Sequence, residues 1–427
     1  MLFLTGESLK PLKTTQSPRR SWGNSNATPE ILCCPAFSTA VESAGQIIQG
    51  LPLELGYGGF AGTSIIWYNR EMLHAPFFDP NKTYKENWEQ GPFNGFADGV
   101  KLAAGEPRFD FLGFKIAYPL GIPAGPLLNG KFVKAALDKG YDVPVHKTVR
   151  SKVHPCNEWP NVMGAEIDGD LTLEKAQGKI VVRNEYKEPL SITNSFGNPS
   201  YEPEVWMKDL RESVAYAKEG QLVMCSFEGT KREGMTSEGY IDDWANGMQM
   251  LKDADVKVVE ANFSCPNEGA AQLLCFDVPK VKIVAEAIKN KIGDTPLAIK
   301  IAYFEEDSLR ELAKETGKIV DCYAAINTVP AAVVNPDGTQ ALPGAHRVKS
   351  GICGHAVKWA GVDMVRRLKK LREEFGMKYA IVGSGGVTSP ADFKEYRDAG
   401  ADVVMTATGA MWNSYLAKEI KEKYPDA

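Results

Sequence analysis

The sequence lacks the features that mark membrane, zinc or iron–sulfur proteins. No apolar run among its 427 residues approaches the roughly 20 residues that a membrane helix needs. Its eight cysteines include no Cys-x-x-Cys pair, so neither a zinc site nor an iron–sulfur cluster is indicated. The five histidines are scattered, and no catalytic triad or HExxH motif is present. A formal net charge of −5 does not favour nucleic acid as a partner.

The amino-terminal segment also lacks the apolar core of a secretory signal. Residues 1–27 are rich in Ser, Thr and Asn and carry a few basic residues, which leaves a transit peptide open. Glu7 and two prolines interrupt any amphipathic helix there, so a disordered tail is the preferred interpretation. We therefore expect a cytoplasmic protein.

What the sequence does contain is a regular alternation of short apolar runs and helical patterns, beginning near residue 115. Most of the runs are apolar throughout, as in parallel strands buried on both faces. They lie at 118–123, 143–149, 222–227, 256–263, 297–302, 322–328, 379–383 and 403–406. Helical periodicity is found at 131–139, 242–253, 278–291, 307–316, 356–375 and 390–399, with Ser389 as a plausible N-cap.

Eight such units predict an α/β fold, a (β/α)8 TIM barrel with an N-terminal extension. An open doubly wound sheet is the alternative. We place the barrel in residues 111–427 and the extension in 1–110, with a disordered start, one helix near 38–50 and segments packed on the barrel. Two stretches interrupt the alternation: an excursion at 150–200 with a strand at 179–186, and a Gly/Pro-rich loop at 329–355.

The ends of the predicted strands carry glycine loops suited to a phosphate. "GSGG" at 383–386 follows the seventh strand and opens a helix, and "TATG" at 406–409 follows the eighth. Backbone N–H groups and a helix N-terminus favour an anion there. Tight turns without a ligand are the alternative.

Polar side chains gather at the same strand ends. Lys147 and Lys300 end apolar strands, where each lysine must meet either a buried carboxylate or a ligand's negative charge. Asn194, Asn262, Asn267 and Asn327 offer paired donors and acceptors to a heterocycle, or else cap loops. Most buried cysteines are inert. Cys265 differs from the other cysteines because Pro266 stiffens its loop and polar residues surround the thiol. Cys353, in "SGICG", is a weaker candidate.

The motifs together resemble the dihydroorotate dehydrogenase family. "HKTV", "NSFGNP", "NFSCPN", "AIKIAYF", "INT", "SGICG", "VGSGGV" and "ADVVMTATG" occur in that family's order over residues 115–420. The cysteine in "NFSCPN" is similar to the class 1 enzymes rather than the membrane-associated class 2. The flavin domain of dihydropyrimidine dehydrogenase is a related barrel.

The resemblance implies an FMN enzyme that oxidises (S)-dihydroorotate to orotate in pyrimidine synthesis. Cys265 is implied to be the base that removes a proton from C5, while hydride leaves C6 for flavin N5. The residues implied to hold the substrate are Lys147, Asn194, Ser195, Phe196, Gly197, Asn262, Asn267, Asn327 and Thr328. Those implied to hold FMN are Ala124, Gly125, Lys147, Asn262, Lys300, Gly351, Gly383, Gly385, Gly386, Ala407 and Thr408.

Some residues depart from the family pattern. The substrate loop reads "GNPS" where class 1 enzymes more often have "GLPN", so Asn198 and Ser200 bear on substrate identity. Two alternatives therefore stay open: a flavin enzyme acting on another dihydropyrimidine or cyclic enone, and a flavin-free barrel that binds a phosphorylated ligand. The resemblance also implies a homodimer. Fumarate, a quinone and a partner subunit all remain possible electron acceptors.

Overall fold

The computed structural model describes residues 73–264 and 273–427. Its strands are β1 (Phe109–Phe111), β2 (Phe114–Ile116), β3 (Leu120–Ile122), β4 (Val143–Val149), β5 (Gly164–Ala165), β6 (Lys179–Arg183), β7 (Ser191–Asn194), β8 (Met224–Phe227), β9 (Val259–Asn262), β10 (Leu297–Ile301), β11 (Cys322–Ala325), β12 (Val329–Val334), β13 (Lys349–Gly354), β14 (Ala380–Ser384) and β15 (Val403–Met405). Its helices are α1 (Tyr84–Gln90), α2 (Gly130–Asp138), α3 (Leu173–Ala176), α4 (Pro203–Tyr216), α5 (Ser237–Asp253), α6 (Val278–Ile292), α7 (Glu306–Thr316), α8 (Lys358–Glu374), α9 (Pro390–Ala399), α10 (Thr408–Trp412) and α11 (Leu416–Lys423).

Eight of these strands close into one parallel ring. Its order is β3, β4, β8, β9, β10, β11, β14 and β15, and β15 pairs with β3 to complete it. Each strand of the ring lies beside the next in chain order, with helices between them, which is the (β/α)8 barrel. The predicted barrel is confirmed, and the open doubly wound sheet is excluded because the ring has no edge.

Side chains inside the ring form a cluster separate from the layer between strands and helices. Val145, Met224 and Ala298 belong to this inner cluster and are fully buried. Phe111 and Ile116, from the hairpin of β1 and β2, join it where the barrel strands begin. The hairpin therefore closes one end of the barrel, and the carboxyl ends of the strands remain for a site.

Helix α9 shows how local sequence fixes an element. The Ser389 side chain accepts a hydrogen bond from the backbone N–H of Asp392, and Pro390 occupies the first turn. Gly400 ends the helix in the left-handed conformation, at φ +110°. The predicted cap and both predicted ends of this helix are confirmed.

A second sheet stands beside the barrel and corrects one prediction. Residues 329–355 were expected to form a loop, but β12 and β13 pair antiparallel there. They join β5, β6 and β7 from the excursion at 150–200 in a closed five-stranded sheet ordered β12-β13-β7-β5-β6. Strand β6 ends at Arg183, short of the predicted residue 186. The loop prediction was wrong because β6 and β7, which pair with the outer sides of β12 and β13, lie far away in sequence.

Residues 73–110 pack on the barrel through aromatic side chains. The ring of Phe77 stacks on that of Phe96 at 4.0 Å and meets that of Phe132 on α2 edge-on at 6.1 Å. The predicted disordered start and the helix near 38–50 lie outside the described residues. Within the two described ranges, no helix combines the length and apolar character needed to cross a membrane.

Candidate active site

A cavity opens where the barrel strands end, the place where (β/α)8 barrels build their sites. Barrel strand ends, strands β7 and β13 of the second sheet, and Phe78 and Met411 contribute to its wall. The residues predicted from sequence that line it are Ala124, Gly125, Asn194, Phe196, Lys300, Asn327, Thr328, Gly385, Gly386, Ala407 and Thr408. Side chains spread over almost 300 residues of sequence are thus brought to one cavity.

The glycine loop after β14 forms one wall of this cavity. Gly385 and Gly386 have φ values of +119° and +69°, in the region that favours glycine. A side chain at Gly386 would also bring Cβ within 2.6 Å of Cβ of Lys358 and 2.9 Å of the Gly354 carbonyl oxygen. Gly385 and Gly386 have no side chains, and Thr408 at the start of α10 lines the same cavity, so this part of the cavity can accept an anionic group such as a phosphate.

Lys300 brings a positive charge into the cavity. Its side chain is only 4% exposed, and it lies two residues after Ala298, whose side chain is inside the barrel. Among the described residues, no carboxylate lies within salt-bridge distance of its ammonium. An isolated buried charge is costly, so this lysine is suited to a negatively charged ligand.

Cys353 also lines the cavity. Burial raises the pKa of its thiol to about 11, although a hydrogen bond from Thr408 and the positive charge of Lys300 both oppose that shift. The thiol is therefore protonated at neutral pH, which makes it an apolar lining group rather than a nucleophile.

Asparagine side chains join the ends of two strands beside the cavity. Oδ1 of Asn262 accepts hydrogen bonds from the backbone N–H and the hydroxyl of Ser264, at 3.3 and 3.4 Å. Nδ2 of Asn327 donates to the carbonyl oxygen of Ser264 at 2.9 Å. Next to Asn327, the buried hydroxyl of Thr328 has no hydrogen-bond partner among the described residues. Buried polar groups are usually hydrogen-bonded, and Thr328 is among the residues that line the cavity.

Several predicted site residues lie apart from the cavity. Lys147 lines a smaller crevice, and Ser195 accepts a hydrogen bond from the buried guanidinium of Arg347 at 3.1 Å. Gly197 lies against the amide of Asn157. Asn262 supports the strand end as described above. Cys265 and Asn267 lie outside the described residues.

Gly351 and Gly383, predicted to hold the cofactor, do not line the cavity either. A Cβ on Gly351 would lie 2.3 Å from Oγ1 of Thr328, and one on Gly383 would lie 2.5 Å from the ring of Tyr396. Each glycine therefore makes room for a neighbouring side chain. For Gly351 that neighbour is Thr328, which does line the cavity.

Sequence reasoning missed the apolar part of the wall. Phe78, Val162 and Met411 line the cavity, yet none belongs to a recognisable motif. Phe78 packs edge-on against Phe196 of the predicted substrate loop, with ring centroids 5.5 Å apart. These residues come from the extension, the segment before β5 and α10, so only the tertiary structure brings them together.

A buried imidazolium lies directly beside Lys147 in sequence. Nδ1 of His146 is 3.0 Å from the Lys147 carbonyl oxygen, and Nε2 is 3.0 Å from Oδ2 of Asp209 on α4. Both partners are acceptors, so both ring nitrogens carry hydrogen. Burial alone would lower the pKa of His146, but hydrogen bonds to Asp209 and Cys225 outweigh it and raise that pKa to about 10.

This ion pair predicts a loss of stability at alkaline pH. Its contribution is complete below the unfolded-state histidine pKa, about 6.5, and is lost as pH rises through about 10. Between pH 6.5 and 10 we expect the melting temperature of the wild type to fall by at least about 2 °C more than that of His146→Gln. Differential scanning calorimetry of both proteins across this range measures the difference. Parallel pH profiles would contradict the assignment.

The family model for dihydroorotate dehydrogenase matches residues 109–427. The chain belongs to the dihydroorotate dehydrogenase family. It is 33% identical over 361 residues to the dihydroorotate dehydrogenase of Dictyostelium discoideum, covering 81% of this chain and 96% of that protein. The family prediction made from the motifs is confirmed, as is that of an oxidoreductase of this family.

Bacterial relatives match over less of their length. The catalytic subunit of dihydroorotate dehydrogenase B (NAD(+)) from Staphylococcus carnosus is 28% identical over 177 residues, 41% of this chain and 54% of the subunit. The corresponding subunit from Petrotoga mobilis is 26% identical over 210 residues, 48% of this chain and 66% of the subunit. The chain thus spans about half to two thirds of these subunits.

A solved structure of the family has the same fold. DHODH from Eimeria tenella, in complex with ferulenol, superposes with a TM-score of 0.56 at 17% identity, covering 76% of this chain and 87% of that one. This similarity supports the barrel alone. The dihydroorotate dehydrogenase family as a whole is flavin-dependent, which makes a flavin the cofactor class to test against the cavity.

Proposed function

We propose that this protein oxidises (S)-dihydroorotate to orotate in de novo pyrimidine synthesis, with FMN as its cofactor and Cys265 as its base. One observation carries the proposal. A cavity at the carboxyl end of a barrel of this family combines a glycine wall suited to phosphate with a buried lysine that meets no carboxylate among the described residues.

FMN fits the chemistry of the cavity at three points. The backbone of Gly385 and Gly386, together with Thr408 in the same cavity, suits its phosphate. Ala124, Val162, Met411 and similar apolar groups suit the flat ring system. The ammonium of Lys300 suits the edge of the ring where negative charge accumulates on reduction.

The pyrimidine would be held by amide groups. Asn194 and Asn327 line the cavity, and each side chain offers both a donor and an acceptor. Through Ser264, Asn327 is tied to Asn262, so the strand end that leads to Cys265 is fixed on one side of the cavity. Thr328 lines the same cavity, and its hydroxyl has no hydrogen-bond partner among the described residues.

Each group then has one task in the reaction. FMN, when bound, supplies the acceptor for the hydride from C6 of dihydroorotate. The Cys265 thiolate removes the proton from C5, which leaves orotate and a protonated thiol. Lys300 stabilises negative charge with a fixed cation and needs no reorganisation during the reaction. The asparagines orient the ring so that both hydrogens leave from defined positions.

Two measurements test the proposal. The purified protein should show flavin absorbance bands, and heat should release FMN that is identified by mass spectrometry. Dihydroorotate should bleach those bands without oxygen and dihydrouracil should not, because only the former carries a carboxylate. Fumarate, a quinone analogue and NAD⁺ are then compared as acceptors. A protein that stays colourless after incubation with FMN, or that reacts only with dihydrouracil, would overturn the proposal.

A further inference from the structure

Asn198 occupies an unusual place in the loop after β7. Its φ is +48°, a left-handed conformation that asparagine tolerates better than most residues. Gly197 before it is also left-handed, at φ +77°. The side chain of Arg150 fixes this stretch, because its Nε donates to the Asn198 carbonyl oxygen at 3.0 Å. The backbone that carries the Asn198 side chain is therefore held in place.

The amide of Asn198 links two buried charges. Its Oδ1 accepts a hydrogen bond from Nζ of Lys147 at 2.7 Å, and its Nδ2 donates to Oε2 of Glu228. Glu228 is in turn 3.4 Å from the guanidinium of Arg150. Lys147, Arg150 and Glu228 are exposed by 3%, 0% and 4%, so the amide lies in a nearly dry network. Hydrogen bonds to charged groups count most in such surroundings.

Only an amide fits both neighbours at this position. An ammonium can only donate and a carboxylate can only accept, so the oxygen of Asn198 must face Lys147 and its nitrogen must face Glu228. Leucine, the residue more often found here in the family pattern, supplies neither contact. Aspartate would accept from Lys147 but would set a second carboxylate against Glu228.

We propose that Asn198 is a positioning residue that keeps the ammonium of Lys147 turned towards the substrate loop and away from Glu228. This inference rests on the proposed function together with the family resemblance, which implies that Lys147 contacts the substrate. Without the amide, Lys147 and Glu228 each lose a hydrogen bond, and their opposite charges draw them together. The lysine then leaves the position from which it meets the substrate.

Asn198→Leu tests this in the full-length, FMN-loaded enzyme. Loss of a hydrogen bond to a charged group predicts a rise of roughly tenfold or more in KM for dihydroorotate, with FMN content unchanged. Asn94→Leu is the matched control. Asn94 is also left-handed, at φ +51°, but it is exposed and its amide donates to the Pro76 carbonyl oxygen. It should cost the same backbone strain and leave KM unchanged.

Adding Glu228→Gln separates positioning from a general loss of structure. With the negative charge of Glu228 removed, its attraction for Lys147 is lost. The double variant Asn198→Leu/Glu228→Gln should therefore have a KM lower than that of Asn198→Leu and closer to that of the wild type. If Asn198→Leu shows the KM of Asn94→Leu, or if the second change only worsens it, the inference is overturned.

The proposed function can fail separately from this inference. If the wild type does not turn over dihydroorotate, the function falls, and the coupling is then measured without substrate. Melting temperatures of Lys147→Met, Asn198→Leu and the double variant form a cycle, in which non-additive changes support the contact. Additive changes in melting temperature would contradict the contact between Lys147 and Asn198.

Discussion

Replacing Cys265 with alanine is expected to lower dihydroorotate oxidation by at least about a hundredfold, since positioned acid–base groups contribute roughly 10²–10⁴-fold. In the proposed reaction no other group removes the C5 proton. Lys300, Thr328 and the glycine wall are untouched by the change, so FMN should remain bound. Anaerobic bleaching of the flavin by dihydroorotate measures the step directly, because it does not depend on the electron acceptor.

The control is Cys156→Ala, which removes a half-buried thiol that lies 3.9 Å from Oδ1 of Asn161 and outside the cavity. It should bleach at the wild-type rate. Cys265→Ser adds a chemical test, since a serine hydroxyl is a far weaker acid than a thiol of pKa about 8.5. Its remaining activity should rise further into the alkaline range. Wild-type bleaching by Cys265→Ala would remove the thiol from the mechanism.

The barrel could be predicted because its strands are buried on both faces. Runs whose residues are all buried, such as 143–149, survive as strands, and this one coincides with β4. Other runs were predicted too long at their ends. The run at 256–263 is a strand only over Val259–Asn262, although Val256 and Phe263 are each 2% exposed. Apolarity reports burial, which extends beyond the hydrogen-bonded part of a strand.

The second sheet could not be predicted for the opposite reason. Its strands are short, and their register depends on distant partners: Gly351 on β13 lies opposite Asn194 on β7. Strand β12 contains Pro330, a residue that usually argues against a strand. Helix α4 was also absent from the predicted helices, although Pro203 lies at its first turn. Local patterns do not reveal which distant segments complete a sheet.

The residues of the candidate site also divide into those that could be predicted from the sequence and those that could not. Its glycines and Lys300 could be predicted because a bare loop or a charge at the end of an apolar strand is visible in the sequence. Phe78 and Met411 could not, since apolar residues are common and carry no mark of a cavity. The contacts of Asn198 with Lys147 and Glu228 span 51 and 30 residues, so only the fold reveals what this asparagine does.

Lys300→Met is expected to weaken FMN binding by roughly tenfold to a hundredfold, since contacts to charged groups contribute about 1.5–3 kcal/mol. It should also lower the two-electron midpoint potential of the bound flavin by about 30–65 mV, because the reduced, anionic ring loses a stabilising cation. Fluorescence titration measures the affinity, and dye-coupled reduction measures the potential. Lys257→Met is the control, because it makes the same substitution at an exposed lysine. It should change neither the FMN affinity nor the midpoint potential.

Lys300→Met also shows whether Lys300 contacts the ligand or stabilises the barrel. A buried ammonium without a carboxylate costs stability, so FMN-free Lys300→Met should melt at or above the temperature of FMN-free wild type. Saturating FMN should then raise the melting temperature of the variant less than that of the wild type, because stabilisation by a ligand follows its affinity. If removing Lys300 instead destabilised the FMN-free protein and left FMN binding intact, the lysine would be part of the barrel's architecture and not of its site.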